Sequence, residues 1–276
     1  MSLKKRVITA SLIIPLFVAM IFFLEGKFFY FATVFMYAWL IWEWMRLIPI
    51  QKTWYMFLGL FLYIVLYLAA FYSPVGMLLI AALIWWCCVP IVLFCYTKKW
   101  STWYSQKWIV SLMGLIVLVP FGIAVNVLAH FQNGQWLLCY AIALVACADS
   151  AAYFMGRWKG QKKLTPSISP NKTYAGMWGG LFFSVLFAVI CGYFFGLSPR
   201  YLVFFVMVSF ISAAFSMMGD LYISMLKRLR GVKDTGVLLP GHGGILDRFD
   251  GLLLSSPILA WFGPSLGCRA GRLPRN

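Results

Sequence analysis

The segment Tyr201-Leu-Val-Phe-Phe-Val-Met-Val-Ser-Phe-Ile-Ser-Ala-Ala-Phe-Ser-Met-Met-Gly-Asp-Leu-Tyr-Ile223 carries one charged side chain, Asp220, and runs into Ser-Met-Leu-Lys-Arg-Leu-Arg230. The hydrocarbon core of a bilayer takes about 20 consecutive apolar residues of helix. The segment therefore reads as a membrane helix ending in a cationic cluster. Its polar residues are ordered: Ser212, Ser216, Asp220 and Ser224 recur every four positions, and Lys227 and Arg228 continue the row. At about 3.6 residues per turn this is a single face. Serines alone would read as small-residue helix packing. Serines that lead to an Asp and two cations read as the wall of a site for a metal and a polyanion.

Outward from this segment the same pattern repeats. Apolar stretches lie at 7–24, 28–48, 54–72, 76–96, 108–130, 136–155 and 174–195, and a ninth starts near Phe249 and stops early. Of the 276 residues 63% are apolar and 11% charged, against roughly a quarter charged in a soluble domain. Too few charges remain to solvate a water-exposed surface, and a disordered tail or a secreted disulfide scaffold is equally excluded. The fold class is all-α: a polytopic integral membrane protein of eight full transmembrane helices plus a shortened ninth, with its N-terminus cytoplasmic. Residues 1–130 read as a helical scaffold, 131–262 as helices and two loops that form the site, and 263–276 as an atypical polar tail.

The balance of 23 Lys and Arg to 7 Asp and Glu gives a net charge of +16. Threaded with the N-terminus inside, only Lys27 and Arg200 of the basic residues before the tail fall outside. That asymmetry is the positive-inside rule, so nucleic acid is not an expected partner. Lys4-Lys5-Arg6 open the first stretch, which runs on through Phe22-Phe23-Leu24-Glu25 with no small-residue cleavage pattern, as in an uncleaved signal-anchor. The loop at 97–107 reads as an interfacial anchor of Trp, Tyr and Lys. Six of the seven cysteines lie in apolar stretches and act as small hydrophobes, with no disulfide or zinc site expected. His130, near the outer end of its helix, reads as structural.

The acids are more informative than the cations. Glu25 and Glu43 sit near helix ends in the first half. The other five, Asp149, Asp220, Asp234, Asp247 and Asp250, border or occupy two basic loops, Gly156–Thr173 and Ser224–Arg248. Ionisable groups at membrane depth are costly and point to function. In the second loop Lys227, Arg228, Arg230 and Lys233 precede Pro-Gly-His242-Gly-Gly244, and Asp247 and Asp250 follow at i, i+3. Cations and glycine amides suit phosphate, paired carboxylates suit Mg²⁺, and His242 is placed as a donor or acid. No Walker-A pattern is present.

At these residues the chain resembles the bacterial integral-membrane phosphatidate cytidylyltransferases (CDP-diacylglycerol synthases). Ser224, Lys227, Arg228, Lys233, Asp234, Gly236, His242, Gly243, Gly244, Asp247, Arg248 and Asp250 match the fixed positions of that family's long signature. A second block, Asp149-Ser-Ala-Ala-Tyr153, Gly156-Arg157, Lys163-Leu164, Ser169-Pro-Asn-Lys172-Thr173 and Gly176, resembles the same family, as does Gly219-Asp220. After Trp261-Phe262 the chain departs from the family's apolar helix and adds Arg269, Arg272 and Arg275, as an altered or frameshifted C-terminus would.

The resemblance implies transfer of a cytidylyl group from CTP to phosphatidic acid, on the cytoplasmic side of a bacterial inner membrane, for phospholipid synthesis. The lipid's acyl chains would stay in the surrounding membrane lipid. On this basis Asp220 and Asp247 hold Mg²⁺, with Asp250 as a third ligand or just behind. A second cation and a homodimer are compatible with it. Lys227, Arg228, Lys233 and the His242-Gly243-Gly244 turn bind the triphosphate, and Lys172 holds a phosphate from the first loop. Ser224 and Arg248 join the substrate-binding set, and Asp149 and Tyr153 complete the cavity. Two alternatives use the same residues. A CTP-dependent lipid kinase would move the γ-phosphate, and an ion-coupled transporter would use Asp149 and Asp220 for coupling. Against the transporter stand the lack of an internal repeat and the concentration of charge on one side.

Overall fold

The computed structural model describes residues 15, 17–24, 26–48, 53–70, 75–100, 102–131, 134–236, 238 and 243–263. Among them the helices are α1 (Gly26–Leu47), α2 (Thr53–Ala70), α3 (Val75–Lys98), α4 (Lys107–His130), α5 (Gly134–Lys159), α6 (Tyr174–Phe194), α7 (Pro199–Arg230) and α8 (Leu246–Phe262). Residues 17–23 are also helical. Six helices, α1 and α3 to α7, are long and apolar enough to cross a membrane, and α2 is apolar but shorter. Residues 1–14, Glu25, Lys52, His242 and the tail from 264 lie outside the described residues.

The side chains face outward as a bilayer requires. Phe28, Phe31, Phe35, Phe61, Trp178 and Phe182 are each more than half exposed on the bundle's surface. An apolar exterior this extensive is incompatible with water and matches lipid. Inside the first half, polar tips of aromatic residues bind helix carbonyls. The Trp44 indole donates to Val110 O at 3.1 Å and the Tyr63 hydroxyl donates to Ser111 O. His130 Nδ1 lies 2.7 Å from Asn126 O of its own helix, in a structural contact.

Three features refine the sequence reading. First, α7 does not stop at Ile223. It continues through the cations to Arg230, so the second loop begins only at Gly231, whose φ of +72° takes the left-handed turn that glycine tolerates. Gly231 N and Val232 N return to the carbonyls of Arg228 and Lys227, and the basic last turn complements the helix dipole. Second, the first loop is not irregular: Lys163–Thr165 (β1) and Ser169–Thr173 (β2) pair as an antiparallel hairpin. Third, the shortened ninth stretch forms a 17-residue helix, α8, and residues 251–260 are all buried. It packs against α7, α4, α3 and α5. A helix enclosed by protein is apolar all round, as this one is beyond Asp250.

Candidate active site

The hairpin brings Lys172 to α7. Its Nζ lies 2.6 Å from Asp220 Oδ2 and 3.5 Å from Met217 O, and Asp220 Oδ1 accepts from Ser224 Oγ at 3.2 Å. Local chemistry fixes that approach. Thr173 caps α6 by accepting from Gly176 N at 3.1 Å, satisfying an otherwise unpaired amide of the first turn. Gly156, Gly160 and Gly176 close around the Thr173 hydroxyl, and a Cβ at Gly176 would lie 2.6 Å from Ala152 O. Much of the second motif block is therefore the close crossing of α5 and α6. Arg228 Nε donates to the carbonyl of buried Ile168 at 3.2 Å, which ties the hairpin turn to α7.

A second ion pair joins α7 to α8. Lys227 Nζ lies 2.7 Å from Asp247 Oδ1. The other oxygen, Asp247 Oδ2, accepts from Thr235 N at 2.8 Å, Thr235 Oγ1 at 3.0 Å and Gly244 N at 3.0 Å. Gly243 has a φ of +81°, and a Cβ there would lie 2.7 Å from Asp247 Oδ2. The Gly244 amide, expected to face phosphate, thus binds the chain's own carboxylate.

Glu43 of α1 is the residue that the sequence reading missed. It is 1% exposed and accepts four hydrogen bonds. Trp39 Nε1 at 3.0 Å and Ile245 N at 2.9 Å donate to Oε1, while Thr235 Oγ1 and Leu246 N, both at 2.8 Å, donate to Oε2. The available signal was an acid inside an apolar stretch, Trp42-Glu43-Trp44, where an ionisable group needs a reason.

The remaining expected residues fall as follows. Asp149 is exposed on α5, within electrostatic range of Asp220, Lys172 and Arg248. Asp250 is in range of Asp220, Asp149 and Lys172, and its Oδ1 accepts from Gly251 N at 2.7 Å. Tyr153 is exposed, and its hydroxyl accepts from Arg157 at 3.3 Å. Lys233 is exposed beyond the end of α7, and Arg248 is exposed in the first turn of α8.

The serine half of the α7 stripe is not a site wall. Ser212 and Ser216 are 0% exposed, and Gly251 of α8 lies against the Ser216 hydroxyl. Helix packing accounts for that half, and only the stretch from Asp220 onward carries site chemistry.

Among the described residues no three His, Cys, Asp or Glu side chains form a ready metal cluster. The donor chemistry nevertheless fits a hard divalent cation, which prefers carboxylate oxygens. Asp220 and Asp247 each already hold a cation, the ammonium of a lysine, at 2.6 and 2.7 Å.

Fold and site together define a multi-pass membrane protein whose basic segments close on carboxylates near the C-terminal end of α7 and the start of α8. A sequence model of the cytidylyltransferase family matches residues 4–265. The chain belongs to that family. It is 33% identical to the phosphatidate cytidylyltransferase of Haemophilus influenzae, over 94% of this chain and 98% of that protein. It is 34% identical to the phosphatidate cytidylyltransferase of Pseudomonas aeruginosa, over 94% and 96%. The Bacillus subtilis phosphatidate cytidylyltransferase is 37% identical over 156 residues, 56% of this chain and 58% of that protein. The resemblance carried by Ser224–Asp250 is borne out.

Proposed function

We propose that this chain transfers the cytidylyl group of CTP to phosphatidic acid, giving CDP-diacylglycerol and pyrophosphate. The observation that carries the proposal is the meeting of the hairpin with α7 at Lys172–Asp220, beside the Lys227–Asp247 pair that joins α7 to α8. Two polyanions must approach each other in this reaction, and alternating cations and carboxylates at a membrane surface suit that task.

A phosphate oxygen of phosphatidic acid forms a bond to the α-phosphorus of CTP. The bond from that phosphorus to the bridging oxygen breaks, and pyrophosphate leaves with the electron pair. The attacking monoester is already largely ionised near neutral pH, so no strong general base is needed. Catalysis then rests on charge neutralisation and in-line positioning. Lys172 holds one of the reacting phosphates, and Lys227 with Lys233 draws the triphosphate toward the loop. Arg228 keeps the hairpin turn, and so Lys172, in register. Asp220 and Asp247 would hold Mg²⁺, with Asp250 and Asp149 adding negative charge nearby. Mg²⁺ would neutralise the phosphates and stabilise charge on the leaving group.

A cavity of about 710 Å³ supports the lipid half of the reading. Its wall is apolar, formed by Phe17, Met20, Phe35, Met36, Trp39 and Phe249, and it includes Arg248. Ala32, Phe35, Met36 and Trp39 lie on one face of α1, so the cavity follows that helix into the bilayer. An acyl chain would lie there with its headgroup toward Arg248. The charge asymmetry supports a cytoplasmic N-terminus and a cytoplasmic site in a bacterial inner membrane.

The test is the fate of isotope from CTP. With purified protein, Mg²⁺ and phosphatidic acid in detergent, label in the α-phosphate of CTP should enter lipid. Entry of the γ-phosphate label would instead identify a lipid kinase.

A further inference from the structure

We propose that Glu43 is a positioning residue for the reaction: from the scaffold helix α1 it sets the geometry of the first turn of α8, which carries Asp247. The inference rests on the cytidylyl-transfer reading.

The first amides of any helix have no partner within the helix. In α8 this problem is solved from another helix. Ile245 N and Leu246 N both bind Glu43, which lies 202 and 203 residues earlier in the chain. A carboxylate at this end also complements the positive pole of the helix dipole. Glu43 thereby fixes where α8 starts, and Asp247 is the next residue after Leu246.

A second path runs through Thr235. Its hydroxyl lies 2.8 Å from Glu43 Oε2 and 3.0 Å from Asp247 Oδ2. A hydroxyl has one proton to donate. Glu43 and Asp247 therefore share it, and the position of one carboxylate depends on the other. Asp247 Oδ2 is held by the loop, which turns Oδ1 toward Lys227.

The glycines of the signature fit the same account. A Cβ at Gly236 would lie 2.6 Å from Glu43 Oε1, and one at Gly244 would collide with Glu43 Oε2 and Thr235 Oγ1. Gly236 and Gly244 flank the buried carboxylate, and a side chain at either position would collide with it. Through Thr235 and the α8 amides the effect of Glu43 falls on the alignment of Asp247 and Lys227.

The experiment compares Glu43→Gln, Thr235→Val, Thr235→Ser and the Glu43→Gln/Thr235→Val double variant in the full-length protein, assayed with Mg²⁺, α-labelled CTP and phosphatidic acid. Glu43→Gln should lower kcat about 30-fold, the scale of one lost charge-assisted hydrogen bond, with KM for phosphatidic acid within about threefold of the starting protein. Thr235→Val should lose about tenfold, and Thr235→Ser, which keeps both hydroxyl contacts, should recover it. The double variant should be no worse than about the Glu43→Gln single, because both changes break one network. Near-normal kcat in Glu43→Gln, or losses that multiply in the double variant, would overturn the inference. If Glu43→Gln does not fold, the Val and Ser variants at Thr235 decide: equal activities in those two reject it. Absence of α-label transfer by the unmutated protein would instead reject the underlying functional reading.

Discussion

The Lys172–Asp220 and Lys227–Asp247 sides of the site use the same chemistry at nearly the same distance, 2.6 and 2.7 Å, in unlike surroundings. The first pair is 26% and 30% exposed, and Ser224 is the additional side-chain donor to its carboxylate. The second is 11% and 7% exposed, and its carboxylate also accepts two amides and a hydroxyl. An ion pair with few other ties exchanges partners readily, so Lys172–Asp220 is suited to open for phosphate and cation. A buried pair inside a satisfied network is held in a fixed geometry and also supports the fold, because removing one member leaves a charge without its partner. The two sides meet on α7, where Asp220 and Lys227 are two turns apart.

Three substitutions would break or sharpen this contrast. Asp247→Asn should have the largest effect: about 3–5 kcal/mol of stability lost together with turnover, seen as a lower unfolding temperature in detergent and an inactive protein. Lys172→Met should separate the two properties. Turnover should fall about a hundredfold while stability changes by less than about 1 kcal/mol, because a partly exposed pair contributes little to folding. If Lys172→Met destabilises the protein as much as Asp247→Asn does, the distinction between the sides is wrong. Ser216→Ala should have the smallest effect, and of opposite sign. The buried Ser216 hydroxyl has no hydrogen-bond partner among the described residues, so its removal should leave melting unchanged or raise stability by up to about 1 kcal/mol, with turnover retained.

The parts legible in the sequence were those with a long-range pattern. Apolar runs separated by cations located the long helices, and the spacing of Asp220, Ser224, Lys227 and Arg228 placed these residues on one helical face. That spacing also contained the extension of α7 to Arg230. Polarity made Ser224–Arg230 look like a loop, although Gly231 is the residue that stops the helix. Ser212 and Ser216 show the converse limit: periodicity identifies a face but not what it touches, and here both are buried, with Ser216 against Gly251. Composition could not distinguish α8 from a lipid-facing span, since a helix enclosed by protein has the same apolar sequence. The hairpin was hidden because β1 is three residues long and β2 contains a proline. Glu43 escaped because its partners, Thr235, Ile245 and Leu246, lie about two hundred residues away.

The central claim is that Asp220, at the open side of the site, serves cytidylyl transfer rather than the fold. The most direct measurement is Mg²⁺-dependent transfer of the α-phosphate label of CTP to phosphatidic acid by Asp220→Asn, run beside the unmutated protein with thermal unfolding of both. The account predicts that transfer falls by about a thousandfold or more while the unfolding temperature stays within about 4 °C. Near-normal transfer by Asp220→Asn, or loss of transfer only because the variant unfolds, would contradict it.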